Sequence, residues 1–143
     1  MYDINVRYTV NLVIPILEKL INDGNMNFGI YTYGNIGQFI DKEILQRRYG
    51  IFPKLIIDNK SFDGKNILNL KQAKELLDDN IIYLICSNNK KFYDEVRRDI
   101  YAIFPQEQIV DLFLDRPIIH TLASNDELDT IFLSIESWIR DLE

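Results

Sequence analysis

The sequence predicts an α/β fold in which a parallel sheet of about four strands is flanked by helices. Three short apolar segments, at residues 28–33, 53–58 and 81–86, are bounded by turn residues, as buried strands are. Between them, apolar residues recur every three or four positions, which indicates helices. This alternation of apolar strands and helices is typical of a parallel sheet that is covered on both faces.

Size and composition fit a single domain. The chain has 143 residues, of which 47% are hydrophobic and 27% are charged, and these values lie in the usual globular range. We expect one domain over residues 1–143. It would consist of an N-terminal helix within 1–24, an α/β core over 28–114 and a C-terminal helix over 124–143.

Charge and cysteine content limit the partners and the compartment. The net charge of −6 argues against nucleic acid as a partner, because phosphate contacts need clustered Lys and Arg. The one cysteine, Cys86, suits a reducing compartment. No leader peptide is recognised, and the apolar segment 10–17 is too short to span a bilayer. We therefore expect a cytoplasmic protein that does not insert into membranes.

The first elements are predicted from spacing and from turn residues. Apolar residues three or four apart predict an added N-terminal helix over about 4–22. Pro15 should bend this helix, and Asp23-Gly24-Asn25 should end it. A strand over 28–33 then leads into a helix over 35–49.

The remaining core elements follow in the same alternation. After the second strand, residues 59–70 are predicted to form a loop and 71–78 a short helix. The third strand, 81–86, is followed by a helix with apolar residues spaced over 92–104. A short fourth strand is expected over 108–112.

The added C-terminal helix has one wide apolar face. Ser124 to Glu127 resemble a capping box at its start, and its apolar residues run from Leu128 to Leu142. A face of this width has to be buried. We expect it to cover the sheet, to pair with the N-terminal helix or to contact a second copy of the chain in a homodimer.

The candidate binding site is a glycine-containing turn between the first strand and its helix. The nucleotide-binding pattern is G-x-G-x-x-G, and Thr32, Gly34 and Gly37 occupy its three glycine positions. Gly34 would let a ligand approach the backbone, and Gly37 would let the helix pack against the strand. The backbone N–H groups of Asn35 and Ile36 would face a phosphate at the helix N-terminus.

Polar residues at two strand ends complete the predicted pocket. Asp58 ends the second strand, 21 positions after Gly37, where an acid binds a ribose hydroxyl in sites of this type. Ser87 and Asn88 follow the third strand, on the side of a parallel sheet where ligands bind. Interpretations without a bound ligand also stay open. Asp58 can form a turn, and Ser87 or Asn88 can cap a helix. The glycines can form a tight turn without a ligand.

No complete catalytic set is recognised. His120 is the single histidine, and with Cys86 it makes no metal site. Cys86 ends an apolar strand without a basic neighbour, which favours an inert buried thiol. Lys90-Lys91 and Arg97-Arg98 are interpreted as a solvated helix face. The catalytic residues are unknown. Whether the chain is an enzyme stays open, although the lack of a recognised catalytic set favours a protein that is not an enzyme.

Four segments between about Phe28 and Leu114 carry a resemblance to a known type of domain. They are Tyr33-Gly34-Asn35-Ile36-Gly37, Leu55-Ile56-Ile57-Asp58-Asn59, Leu68-Asn69-Leu70 and Ile81 to Cys86. With these segments the chain resembles small Rossmann-like domains of bacterial surface-polysaccharide biosynthesis, namely the N-terminal part of sugar acyltransferases of the bacillosamine pathway and regions attached to FkbM-type methyltransferases and sugar C-methyltransferases. The resemblance implies a domain that holds a nucleotide-sugar, such as a UDP-sugar, or a nicotinamide nucleotide while chemistry occurs elsewhere.

Three functions are therefore considered. The first is a nucleotide-binding module with a small-molecule ligand, either NAD or a nucleotide-sugar. The second is a ligand-free Rossmann scaffold that dimerises or docks a protein through its terminal helices. The third is a small NAD-dependent oxidoreductase, which is favoured least because no acid/base group for hydride transfer is recognised.

Overall fold

The structure, a computed structural model, describes residues 2–4, 13–59, 66–76, 78–87, 92–113 and 121–123. The helix over residues 35–49 is α-helical at both ends, with a π-helical segment over Ile40–Gln46, and a 3₁₀ turn over Gln106–Gln108 precedes the last core strand. The described strands and helices, in chain order, are β1 (Tyr2–Ile4), α1 (Ile14–Asn22), β2 (Phe28–Tyr31), α2 (residues 35–49), β3 (Leu55–Ile57), β4 (Ile67–Leu68), α3 (Leu70–Glu75), β5 (Ile82–Ile85), α4 (Tyr93–Tyr101), β6 (Ile109–Asp111) and β7 (Thr121–Ala123).

Five of these strands form one parallel sheet in the order β4-β3-β2-β5-β6. The chain runs outward from β2 through β3 to β4. It then crosses back to place β5 on the other side of β2 and continues to β6. An order with the first core strand at the centre is that of Rossmann-type sheets. The predicted α/β fold is confirmed, with one strand more than the sequence pattern indicates.

Helices cover both faces of this sheet. On one face, α1 and α2 pack against side chains that include Phe28, Ile30 and Leu84. On the other face, α3 and α4 pack against side chains that include Tyr31 and Ile85. Successive residues of a strand point to opposite faces. Because both faces are covered, the central strands β2, β3 and β5 are near-continuous apolar runs instead of alternating ones.

The described part of the predicted N-terminal helix is α1, over Ile14–Asn22. Tyr2–Ile4 form strand β1, so the prediction of one helix over about 4–22 is wrong at its first residue, Ile4. Residues 5–12 lie outside the described residues. Pro15 is the second residue of α1, and Val13 before it also has helical backbone angles, with φ −72° and ψ −49°. The bend at Pro15 stays a prediction.

Strand β4 lies inside the segment that was predicted to be a loop. Ile67–Leu68 pair in parallel with β3. Two apolar residues are too few to show a strand period, which is why the pattern does not reveal them. Asn69 then caps α3 through a capping box with Gln72.

A second, two-stranded sheet joins the two ends of the described chain. β1 and β7 pair antiparallel, with Asp3 opposite Leu122. The predicted C-terminal helix over 124–143 and His120 lie outside the described residues. In the part of the chain that is described, no helix is both long and apolar enough to cross a membrane.

Candidate functional site

A cavity of about 660 Å³ opens at the carboxyl ends of β2, β3 and β5. Its wall is formed by the turn after β2, the start of α2, the ends of β3 and β5, and one side of α4. The position is the switch point of the sheet, where the chain leaves β2 in one direction and returns to β5 in the other. Parallel α/β sheets bind their ligands in this crevice, and the volume is in the range of small-molecule sites.

The N-terminus of α2 opens onto this cavity. Gly34 is the N-cap residue and provides no side-chain cap. The first intrahelical hydrogen bond near it runs from the Gln38 N–H to the Gly34 carbonyl, at 2.9 Å. The N–H groups of Asn35 and Ile36, which precede it, have no carbonyl one turn earlier in the helix. They supply hydrogen-bond donors at the positive end of the helix dipole.

The two glycines of the turn have different roles. A Cβ added at Gly34 would meet no atom within 4 Å, so a ligand has room there. A Cβ added at Gly37 would lie 2.0 Å from the backbone oxygen of Thr32. The predicted packing role of Gly37 is thus confirmed, because any side chain at that position would push α2 away from the turn after β2.

Asp58 fixes the turn from the neighbouring strand. Its Oδ2 accepts a hydrogen bond of 2.8 Å from the backbone N–H of Tyr33. Its own N–H donates to the carbonyl of Leu68 at 2.9 Å. Asp58 is half-buried and lines the cavity. The carboxylate therefore lies at the predicted place, and it also holds the glycine turn against the end of β3.

The residues predicted after β5 are described only in part. Ser87 is buried and lines the cavity. It is not the N-cap of α4, which is Phe92. Asn88 lies outside the described residues. Of the other predicted site residues, Thr32, Gly34, Asn35 and Ile36 line the cavity with Asp58, whereas Gly37 contributes packing.

Arg97 is not on a solvated helix face, contrary to the sequence-based interpretation. Its Nε and Nη2 donate to the two carboxylate oxygens of Asp111 at 2.6 and 2.7 Å. The two side chains are only 10% and 11% exposed. Nη2 also donates to the carbonyl of Ser87 at 3.3 Å. These hydrogen bonds of Arg97 tie α4, which forms one side of the cavity, to the carboxyl ends of β5 and β6.

Three cavity residues that the sequence analysis missed are Tyr31, Glu95 and Asp99. Burial, together with the nearby Asp99, Asp58 and Glu95 carboxylates, raises the pKa of Tyr31 to about 12. Tyr31 was missed because it is one more aromatic residue in an apolar strand. Glu95 and Asp99 are one helical turn apart. Their i, i+4 spacing places both carboxylates on one face of the helix, and this was the signal available in the sequence.

Cys86 behaves as an inert core residue. Its thiol is 2% exposed, and Sγ donates to the carbonyl of Leu84 at 3.5 Å. Burial, with the Asp111 and Asp41 carboxylates nearby, raises the pKa of this thiol far above its usual value. The thiolate is therefore not formed near neutral pH. Among the described residues, no group of three or more His, Cys, Asp and Glu is arranged to hold a metal ion.

Comparison with known proteins gives one distant structural likeness. No family model and no curated protein matches the chain. Among solved structures, it is similar to the acetyltransferase domain of PglB from Neisseria gonorrhoeae FA1090 in complex with acetyl coenzyme A. The identity is 14% and the TM-score 0.41, and the match covers 56% of this chain and 40% of that chain. The likeness concerns the fold alone, a parallel α/β sheet.

Proposed function

We propose that this chain is a nucleotide-binding module whose ligand lies at the carboxyl edge of the sheet. The observation that carries the proposal is the N-terminus of α2, which lacks a side-chain cap and opens onto a cavity at the switch point of the sheet. The free space at Gly34 lets a ligand reach the backbone. Helix N–H groups without a partner, together with the helix dipole, attract phosphate.

The phosphate would be held by backbone groups. Among the described residues that line the cavity, none is Lys or Arg. The N–H groups of Asn35 and Ile36 therefore supply the donors in this proposal. Asp58 would accept a hydrogen bond from a ribose or sugar hydroxyl, and Ser87 would line the opposite wall. The ligand would be NAD or a nucleotide-sugar, in bacterial surface-polysaccharide biosynthesis, as the sequence resemblance implies.

Chemistry would take place elsewhere, in a partner or in another domain. The described cavity wall has carboxylates and the protonated hydroxyl of Tyr31, but it brings no nucleophile and base together. The alternative of a dimerising scaffold depends on the apolar face from Leu128 to Leu142, which lies outside the described residues. It stays a prediction, as does the NAD-dependent oxidoreductase.

The experiment that tests the proposal is calorimetric titration with UDP-glucose, NAD, S-adenosylmethionine and acetyl coenzyme A. We expect at least one of these to bind, and we expect Gly34→Val to weaken that binding at least about tenfold. The valine side chain would occupy the open space that the ligand needs. The backbone at Gly34 is extended, with φ −76° and ψ −161°, so valine is compatible with the local fold.

A matched control is Asn27→Val, which places the same side chain at the amino end of β2. Asn27 is exposed and lies at the opposite edge of the sheet from the cavity. Its variant should bind the ligand as the parent does. Equal affinities of the parent and of Gly34→Val would refute this location of the site.

A further inference from the structure

We propose that Tyr33 and Asp41 are positioning residues of the nucleotide site. Both side chains are buried, at 1% exposure each, and neither residue lines the cavity, so they would not touch the ligand. Their hydrogen bond would instead hold the turn after β2 in the shape that receives a phosphate. The inference rests on the proposed function and names the part of the core that keeps the site ready for its ligand.

Tyr33 connects the turn to its surroundings through both its backbone and its side chain. Its N–H donates to Asp58 Oδ2 at 2.8 Å, and its carbonyl accepts from Gln38 Nε2 at 3.3 Å. Its hydroxyl donates to Asp41 Oδ2 at 2.6 Å. The turn is therefore tied to the end of β3 and, at two points, to α2, the helix whose first N–H groups would bind the phosphate.

Asp41 is a buried carboxylate with a donor on each oxygen. Besides the Tyr33 hydroxyl, the amide Nε2 of Gln46 donates to Oδ1 at 2.6 Å. Asp41 and Gln46 both lie in the π-helical segment of α2, five positions apart. That spacing is the hydrogen-bond period of a π-helix, whereas side-chain neighbours in an α-helix are three or four positions apart. The π-helical segment thus brings Gln46 beside Asp41, and such segments are frequent at functional sites.

Gly34 is the reason why the turn needs an anchor. This residue has no side chain, and a Cβ added there would meet no atom within 4 Å. Glycine also has the greatest backbone freedom of all residues. The backbone at Gly34 is therefore held in place by its neighbours, and Tyr33 directly before it provides a buried side chain. A site that is ordered before binding loses less entropy when the ligand arrives.

Core packing alone would not require this polar pair. When both partners of a buried hydrogen bond are replaced by apolar groups of the same shape, stability can stay nearly unchanged, whereas loss of one partner is costly. Stability should therefore recover when Tyr33 and Asp41 are both replaced by apolar residues. Affinity for the nucleotide should not recover, because the turn is still without its anchor. This difference separates a positioning role from a structural one.

Calorimetry with UDP-glucose, NAD, S-adenosylmethionine and acetyl coenzyme A tests this role, and urea unfolding measures the stability of each variant. Tyr33→Phe should weaken binding at least about tenfold. Asp41→Asn keeps an oxygen that accepts from the Tyr33 hydroxyl and should bind within about threefold of the parent. The double variant Tyr33→Phe/Asp41→Leu should unfold at the same or a higher urea concentration than Tyr33→Phe, and it should bind as weakly.

Tyr83→Phe is the control, because it removes the hydroxyl of another buried tyrosine, on β5, that does not line the cavity. It should bind as the parent does. Parent-like binding by Tyr33→Phe or by the double variant overturns the positioning role. If Gly34→Val still weakens binding in that case, the nucleotide site itself stands. If none of the four compounds binds to the parent protein, the proposed function fails and this inference fails with it.

Discussion

At the scale of single residues, Gly37 is the described glycine that tolerates a side chain least. Its missing Cβ allows the Thr32 carbonyl to lie where a methyl group would be. We expect Gly37→Ala to destabilise the protein by roughly 1–3 kcal/mol, the usual range for overpacking. Urea unfolding followed by circular dichroism measures this change.

Gly34→Ala is the matched comparison in the same turn. Its Cβ would meet nothing within 4 Å and its backbone is extended, so its stability should stay within about 1 kcal/mol of the parent. Equal losses in the two variants would show that Gly37 is not in close contact with the turn after β2.

The reactivity of the Cys86 thiol is the second property that can be predicted for a single residue. Since burial raises the pKa of its thiol, the thiol should stay protonated and should not react with Ellman's reagent in the native protein at pH 8. In guanidinium chloride the single cysteine should react at once. Fast reaction in native buffer would contradict the burial of Cys86.

At the scale of elements, the position of α4 depends on the buried pair of Arg97 and Asp111. Removal of one partner from such a pair leaves an uncompensated charge and costs about 3–5 kcal/mol. We therefore expect Arg97→Met to destabilise the protein strongly, as measured by chemical unfolding. Arg98→Met changes the exposed neighbour and should have an effect of less than about 1 kcal/mol. Similar effects of the two substitutions would contradict the structure of this helix.

Elements with a strong pattern were predictable, and those without one were not. The strands β2, β3 and β5 are continuous runs without charged residues, β6 is apolar up to Asp111, and each lies within its predicted segment. β4 has two residues, and β1 belongs to a small antiparallel pair whose partner is more than 100 positions away. The residues around β1 in the sequence do not indicate the distant segment with which it pairs. The burial of Arg97 was not predicted for the same reason, because its partner Asp111 belongs to another element.

At the scale of the whole molecule, the candidate site exists only because the sheet brings distant segments together. The glycine turn, Asp58 and Ser87 were predictable one by one, since each follows an apolar run. Their meeting at one cavity depends on the strand order, in which the chain crosses from β4 back to β5. Glu95 and Asp99 enter the site from α4, whose orientation depends on tertiary contacts. The i, i+4 spacing of these two acids was visible in the sequence, but their position at the cavity was not.

The central claim, that a nucleotide binds at the carboxyl edge of the sheet with its phosphate at α2, is tested most directly by NMR. A ¹⁵N-labelled sample is titrated with whichever nucleotide calorimetry finds to bind. The largest amide shifts are predicted at Asn35 and Ile36, with smaller ones at Tyr33 and Ser87, and none at Asn27 and Lys54 on the amino edge. Largest shifts at the amino edge, or none at the start of α2, would contradict the claim.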